Sequence, residues 1–372
     1  MLKFPENFYW GTATSAYQVE GGIKNDWSAA GGKYDAGIAC DHYHRFEEDF
    51  NLAQQMNNNA HRFSIEWARI EPEEGKFDQK EIEHYRKVIL ALKQRGLEPF
   101  VTLWHFFLPV WFAKKGGWLN KDAPKYFARY AEFIVKNLSG VKFWIPLNEP
   151  NNVYAALSFL TGKWPPFIKN WFKFRKVSKQ LIETHKKSYK LIHKISPNAF
   201  VGIAQSRTYF KGIIRIVNTI WNEEFLNKTE NSHDFIGLNY YAGVSVTGFL
   251  ETDGKNDRGW GIYPEGIYRV LKELKKYNKP IYITENGLAD AKDDRRAKFI
   301  IKHLEWVYKA IKEGIDVRGY FHWSLLDNLE LEQGFWPRFG LIEIDYDNNL
   351  KRIPRPSSKI YAEICKNNGL NI

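Results

Sequence analysis

Phe143-Trp144-Ile145-Pro146-Leu147-Asn148-Glu149-Pro150 reads as a short apolar strand that breaks off in an amide, a carboxylate and a proline. A strand apolar on successive residues is buried on both faces, as in a parallel sheet covered by helices. Its last side chains meet solvent only at its carboxyl end, and Pro150 stops the hydrogen-bond ladder there. Glu149 therefore sits at a strand tip. Pro280-Ile281-Tyr282-Ile283-Thr284-Glu285-Asn286-Gly287 repeats the plan, with an apolar strand, a Glu-Asn pair and a glycine that lets the chain turn. Two glutamates at two strand tips invite a paired-carboxylate reading.

Outward from these stretches, strands and helices alternate. Apolar or β-branched runs at 8–14, 60–65, 97–103, 142–147, 200–204, 234–239, 280–284 and 317–321 read as eight strands. Helical patterns lie at 44–56, 80–95, 122–138, 176–195, 266–277 and 296–313, with Asp122 as an expected N-cap and Gly96 and Gly314 as helix stops. This order predicts an α/β fold, a (β/α)8 TIM barrel, as a single domain over 1–372 whose working face is the carboxyl face. Every polar residue that ends a strand then converges on one bowl: Gln18, Arg62, His105, Asn148, Glu149, Asn239, Tyr241, Glu285 and Trp323.

The 372 residues carry no Gly/Ser tract, proline run or low-complexity block that would divide them. The N-terminus, Met1 to Glu6, has no apolar core of signal-peptide length and no window reaches the roughly 18 apolar residues of a membrane span, so a soluble, cytoplasmic protein is expected. Cys40 and Cys365 are far apart in sequence and read as free thiols. The formal charge is +11, yet the basic residues read as spread along helical segments, which argues for a solvated surface and against a nucleic-acid partner. Aromatic residues make up 16% of the chain, enough for a large core and for a cleft that stacks on the flat face of a sugar.

Cleavage of a glycosidic bond needs an acid for the departing oxygen and a second carboxylate for the developing oxocarbenium charge; carboxyls about 5 Å apart allow direct attack and net retention. Two glutamates across a barrel mouth meet that need. A like charge on Glu285 is expected to raise the pKa of Glu149 and keep it protonated, while Arg62 and Tyr241 hold Glu285 ionised and Asn148 bonds a sugar hydroxyl.

The runs Phe8-Tyr9-Trp10-Gly11-Thr12-Ala13-Thr14-Ser15-Ala16-Tyr17-Gln18-Val19-Glu20-Gly21, Arg62-Phe63-Ser64-Ile65-Glu66-Trp67-Ala68-Arg69-Ile70, Leu147-Asn148-Glu149-Pro150, Thr284-Glu285-Asn286-Gly287 and Arg338-Phe339-Gly340-Leu341 resemble glycoside hydrolase family 1, the β-glucosidase and β-glycosidase family. The resemblance runs nearly end to end. It implies a retaining, exo-acting β-glycosidase that needs no cofactor and acts on small β-glycosides or oligosaccharides. It makes Glu149 the acid/base, Glu285 the nucleophile, and Gln18, His105, Asn148 and Glu330 ligands of sugar hydroxyls. Trp323 becomes the platform under the sugar, and Arg62, Asn239 and Tyr241 become supports of the nucleophile. Catalytically weakened sugar binding on the same barrel and transglycosylation are the alternatives.

Three departures bear on specificity. Leu331 stands where the family usually has a tryptophan, which removes one indole N–H donor from the sugar site. Glu330, Pro337 and Phe339 differ from the phospho-glycosidase branch and argue against a 6-phosphorylated sugar. The chain is also short for the family, which implies trimmed loops and an open aglycone side.

Two stretches stand apart. The histidines of Asp41-His42-Tyr43-His44 lack a third ligand and read as structural, so no metal is expected. Gly162 to Lys176 lays aromatics among five basic residues; its part from Ile168 onward has three readings, a lid over the aglycone site, a subunit contact, or an interfacial segment on an anionic membrane, of which the first two are favoured.

Overall fold

The computed structural model describes residues 2–371, apart from the side chain of Arg215; the expected boundaries at 1 and 372 lie outside the described residues. Eight parallel strands close into a barrel: β1 (Tyr9–Ala13), β2 (Ala60–Ser64), β3 (Glu98–Thr102), β4 (Phe143–Ile145), β5 (Phe200–Ser206), β6 (Phe235–Asn239), β7 (Ile281–Asn286) and β8 (Val317–Trp323). Each pairs with its sequence neighbours, and β8 returns to β1 through Gly319 to Trp323 against Tyr9 to Ala13. All eight coincide with the apolar runs of the sequence to within two residues at each end.

The α-helices of six or more residues, α1 (His42–Gln55), α2 (Gln79–Gln94), α3 (Ala123–Asn137), α4 (Trp171–Ile195), α5 (Glu224–Thr229), α6 (Glu265–Leu274), α7 (Arg296–Lys312) and α8 (Pro356–Asn367), surround it. Three departures from the expected boundaries have local causes. Helix α4 begins five residues earlier than its apolar pattern, because Asn170 Oδ1 accepts the Lys173 N–H at 2.9 Å and caps it there. Asp122 makes no cap bond at α3 and instead pairs with Lys125 at 2.7 Å. The π-helical turns of Pro150–Leu160 and the short antiparallel pieces Gly243–Ser245 and Gly248–Phe249 break period and escape pattern reading.

Inside the barrel the floor is aromatic. Tyr9, Phe100, Phe143, Phe235, Tyr282 and Phe321 fill it, with Phe100 and Phe143 stacked at 4.1 Å. Such a plug leaves only the carboxyl end hollow. No helix of the described residues is long and apolar enough to cross a membrane.

Candidate active site

Both strand-tip glutamates reach that hollow end by local irregularity. Tyr282 joins the barrel floor and Thr284 bonds the inward Asn239, so strict alternation would turn Glu285 away; a register shift between Ile283 and Glu285 brings it back to the cavity. Glu149 has φ 43° and ψ 50°, the left-handed region that a residue before proline avoids. Its N–H donates to the Ala204 carbonyl at 2.8 Å, and its own carbonyl accepts from Tyr154 N at 3.1 Å as the π-helical turns begin. Strain of this sort persists only where the surroundings hold it, and it concentrates at reactive groups.

The two carboxyls are held very differently. Glu285 accepts from Arg62 Nη1 at 2.6 Å through one oxygen and from Tyr241 Oη at 2.7 Å through the other. Glu149 accepts only from Asn239 Nδ2, at 2.9 Å. Burial lifts both carboxyls; for Glu149 the charge of Glu285 adds to it and pushes the pKa up to about 8, whereas Arg62, Tyr241 and Asn239 oppose the rise at Glu285. A buried pair of this kind titrates as a unit. Its retained proton sits on Glu149, the member with the fewest donors.

Arg62, Asn148 and Asn239 lie beneath the cavity and do not line it. Arg62 Nη2 donates to Asn148 Oδ1 at 2.7 Å, and Asn239 Nδ2 donates to the same oxygen at 3.2 Å. The Asn148 amide therefore presents Nδ2 to His105 Nε2 at 3.2 Å, which places the ring proton of His105 on Nδ1. Burial and the Arg62 charge push His105 well below the usual histidine range, so the ring is neutral. Asn148 thus orients His105 with one of the two N–H groups of its amide.

The cavity above has a volume of about 510 Å³ and is lined by Gln18, His105, Glu149, Tyr241, Glu285, Trp323 and Glu330, among others. Gln18 Nε2 is fixed by the Leu329 carbonyl at 2.7 Å and Asn328 Oδ1 at 3.0 Å, while Gln18 Oε1 and His105 Nδ1 have no protein partner. One buried acceptor and one buried donor thus face the space, the pattern a hydroxyl-bearing ligand completes. Trp323 stacks alongside His105 with an interplanar angle of 20° and forms an apolar wall. His42 and His44, by contrast, bond Asp49 and Asp41 and do not line this cavity.

One lining residue had no signature in sequence. Arg258, on the loop after β6, donates to Glu330 Oε1 at 2.5 Å and lies over the Trp260 ring at 4.0 Å. Burial pushes Glu330 up to about 7 against the pull of Arg258. Nothing about a lone arginine beside a turn, 72 residues from its partner, marks it from sequence.

The family model of glycosyl hydrolase family 1 matches residues 1–213 and 250–370. β-Glucosidase A of Thermotoga maritima is 34% identical over 442 aligned positions that cover 99% of each chain; set against 372 residues, that alignment leaves this chain with the gaps. Among solved structures, a β-glycosidase from Pyrococcus horikoshii superimposes with a TM-score of 0.93 at 38% identity, covering 100% of this chain and 96% of the other. A β-glucosidase from Thermotoga maritima in complex with castanospermine gives a TM-score of 0.92 at 33% identity, with both chains covered in full. With two buried glutamates at the tips of β4 and β7 of a closed barrel, the chain belongs to glycosyl hydrolase family 1.

Proposed function

We propose that Glu285 is the nucleophile and Glu149 the acid/base of a retaining β-glycosidase, and that Gln18, His105, Trp323 and Glu330 form the subsite for the non-reducing sugar. The observation that carries this assignment is the unequal hydrogen bonding of the two carboxyls: Glu285 has an arginine and a tyrosine, Glu149 a single amide. In the first step a Glu285 oxygen bonds the anomeric carbon while the bond to the aglycone oxygen breaks, and the Glu149 proton passes to that oxygen. The ester removes the negative charge from Glu285 and with it the repulsion that kept Glu149 protonated. Glu149, now a carboxylate, takes a proton from water as the water oxygen attacks the same carbon, releasing the sugar with its configuration retained and restoring Glu285. The castanospermine complex of the Thermotoga maritima relative supports a small polyhydroxylated ligand. Proton NMR of the first-formed sugar from aryl β-glucoside, galactoside, mannoside and fucoside tests it. Release of the β-anomer supports the assignment, and the α-anomer contradicts it.

The pH dependence follows from the proton on Glu149. The acid form, required in the first step, is present below about pH 8 and lost above it. The alkaline limb of kcat/KM is therefore expected near pH 8, set by the free enzyme. A limb below pH 6 on that side would assign the acid elsewhere.

Arg258 occupies the edge of the sugar subsite where Leu331 leaves the family's usual indole donor missing. Arg258→Met is expected to raise KM for aryl β-glucoside by about tenfold, the scale of one charge-assisted hydrogen bond, with a smaller effect on kcat. Steady-state kinetics at pH 6 check it, and an unchanged KM would remove Arg258 from the subsite.

A further inference from the structure

The stretch from 150 to 222 holds thirteen Lys and Arg residues and a single acid, Glu183, so it accounts for the whole net charge of +11. Along the chain these cations read as spread. The fold gathers those near the start of α4 and those after β5, because β4 and β5 are adjacent and α4 and the helical turns leading into α5 both start at the carboxyl rim; Lys186, Lys187, Lys190 and Lys194 lie in the far half of α4. The Arg175 to Glu224 pair, at 2.6 Å, ties the two together one turn below that rim. About one turn above the pair stand Trp171 and Phe172 on α4 and Ile220 on the other helix, with Ile216 and Ile213 beyond.

These side chains face solvent. Phe172, Ile213 and Ile216 are 81%, 81% and 82% exposed, and Trp171 and Ile220 about half exposed. A lid would turn its aromatics into the catalytic cavity, yet no residue from Ile168 to Lys176 lines it. Lys169, Lys173 and Lys176 stand exposed around the apolar tip, and no acid within this segment neutralises them. Large apolar side chains at full exposure, ringed by uncompensated lysines, suit a surface that is anionic outside and apolar a few ångströms within. A second copy of the same patch would set lysine against lysine.

We infer that this rim docks on an anionic lipid surface, with Phe172, Ile213 and Ile216 entering the headgroup boundary and Lys169, Lys173 and Lys176 meeting the phosphates. The neighbouring cavity wall, from Arg207 and Thr208 five to nine residues before Ile213 and Ile216, then lies next to the bilayer. Co-flotation of the whole chain with phosphatidylglycerol vesicles and with phosphatidylcholine vesicles tests the inference. The parent is expected to float with the first and not the second, and to be released by high salt. Lys169→Gln, Lys173→Gln and Lys176→Gln together should weaken partition about a hundredfold, and Phe172→Ser, Ile213→Ser and Ile216→Ser together at least about tenfold. Turnover of a soluble aryl glycoside should stay at the parental rate in both triples, which shows that they fold. Three results overturn the inference: no flotation of the parent, equal flotation of parent and triples, or a dimer in sedimentation that the Phe172/Ile213/Ile216 triple dissociates.

Discussion

Glu285→Gln is expected to lower kcat on aryl β-glycosides by on the order of 10⁴-fold or more, with KM within a few-fold of the parent. The amide matches the carboxylate in shape, so the cavity keeps its form, but it cannot attack the anomeric carbon. Arg62 stays anchored by Asn148 Oδ1, Thr102 Oγ1 and the Thr284 carbonyl, which argues against collapse of the site. The variant carries a second expectation. Removing the Glu285 charge withdraws one of the causes that raise Glu149, so the Glu149 carboxyl should titrate below its parental value near 8. An acid whose pKa rises on folding costs stability as pH climbs from its unfolded value towards its folded one. Glu285→Gln should therefore raise Tm at pH 8 relative to the parent and lose that advantage near pH 4. Calorimetry at the two pH values reads the difference; a Tm lowered equally at both would show structural damage instead.

Glu149→Ala is expected to separate the two steps of the reaction. On substrates with a poor leaving group, such as alkyl β-glucosides, kcat/KM should fall by about 10²- to 10⁴-fold, the range of a lost proton donor. A 2,4-dinitrophenyl glycoside leaves without protonation, so its first step should survive and the ester should accumulate, with both kcat and KM reduced. Azide, a nucleophile that needs no base, then has room where the carboxyl stood. It should raise kcat on that substrate and give the β-glycosyl azide. Failure of azide to raise the rate, or formation of the α-azide, would take Glu149 out of its role.

The barrel was legible because each of its strands is an apolar run that ends in a polar residue, a pattern that a fully buried parallel strand imposes on sequence. Glu149 and Glu285 stood out by the same logic, since polarity at a strand tip has no packing explanation. Glu330 entered only through the family resemblance, lying seven residues past the end of β8 on a loop without period. Arg258 was invisible because its importance depends on a contact across two loops. At Asn148 the strand tip was legible but its partners were not, since Arg62 and Asn239 both claim its carbonyl oxygen from other strands and turn its nitrogen to His105. The early start of α4 escaped notice because Trp171 and Phe172 point to solvent, where a core-facing stripe would have placed polar residues.

The central claim is a covalent sugar ester on Glu285. Incubation with a 2,4-dinitrophenyl 2-deoxy-2-fluoro-β-glucoside, whose fluorine slows ester hydrolysis more than its good leaving group slows formation, should add one fluoroglucosyl unit to the intact chain. Fragmentation should then locate that unit on Glu285 within Ile281–Asn286. Label on Glu149, or inactivation with no added mass while the sugar is turned over, would contradict the account.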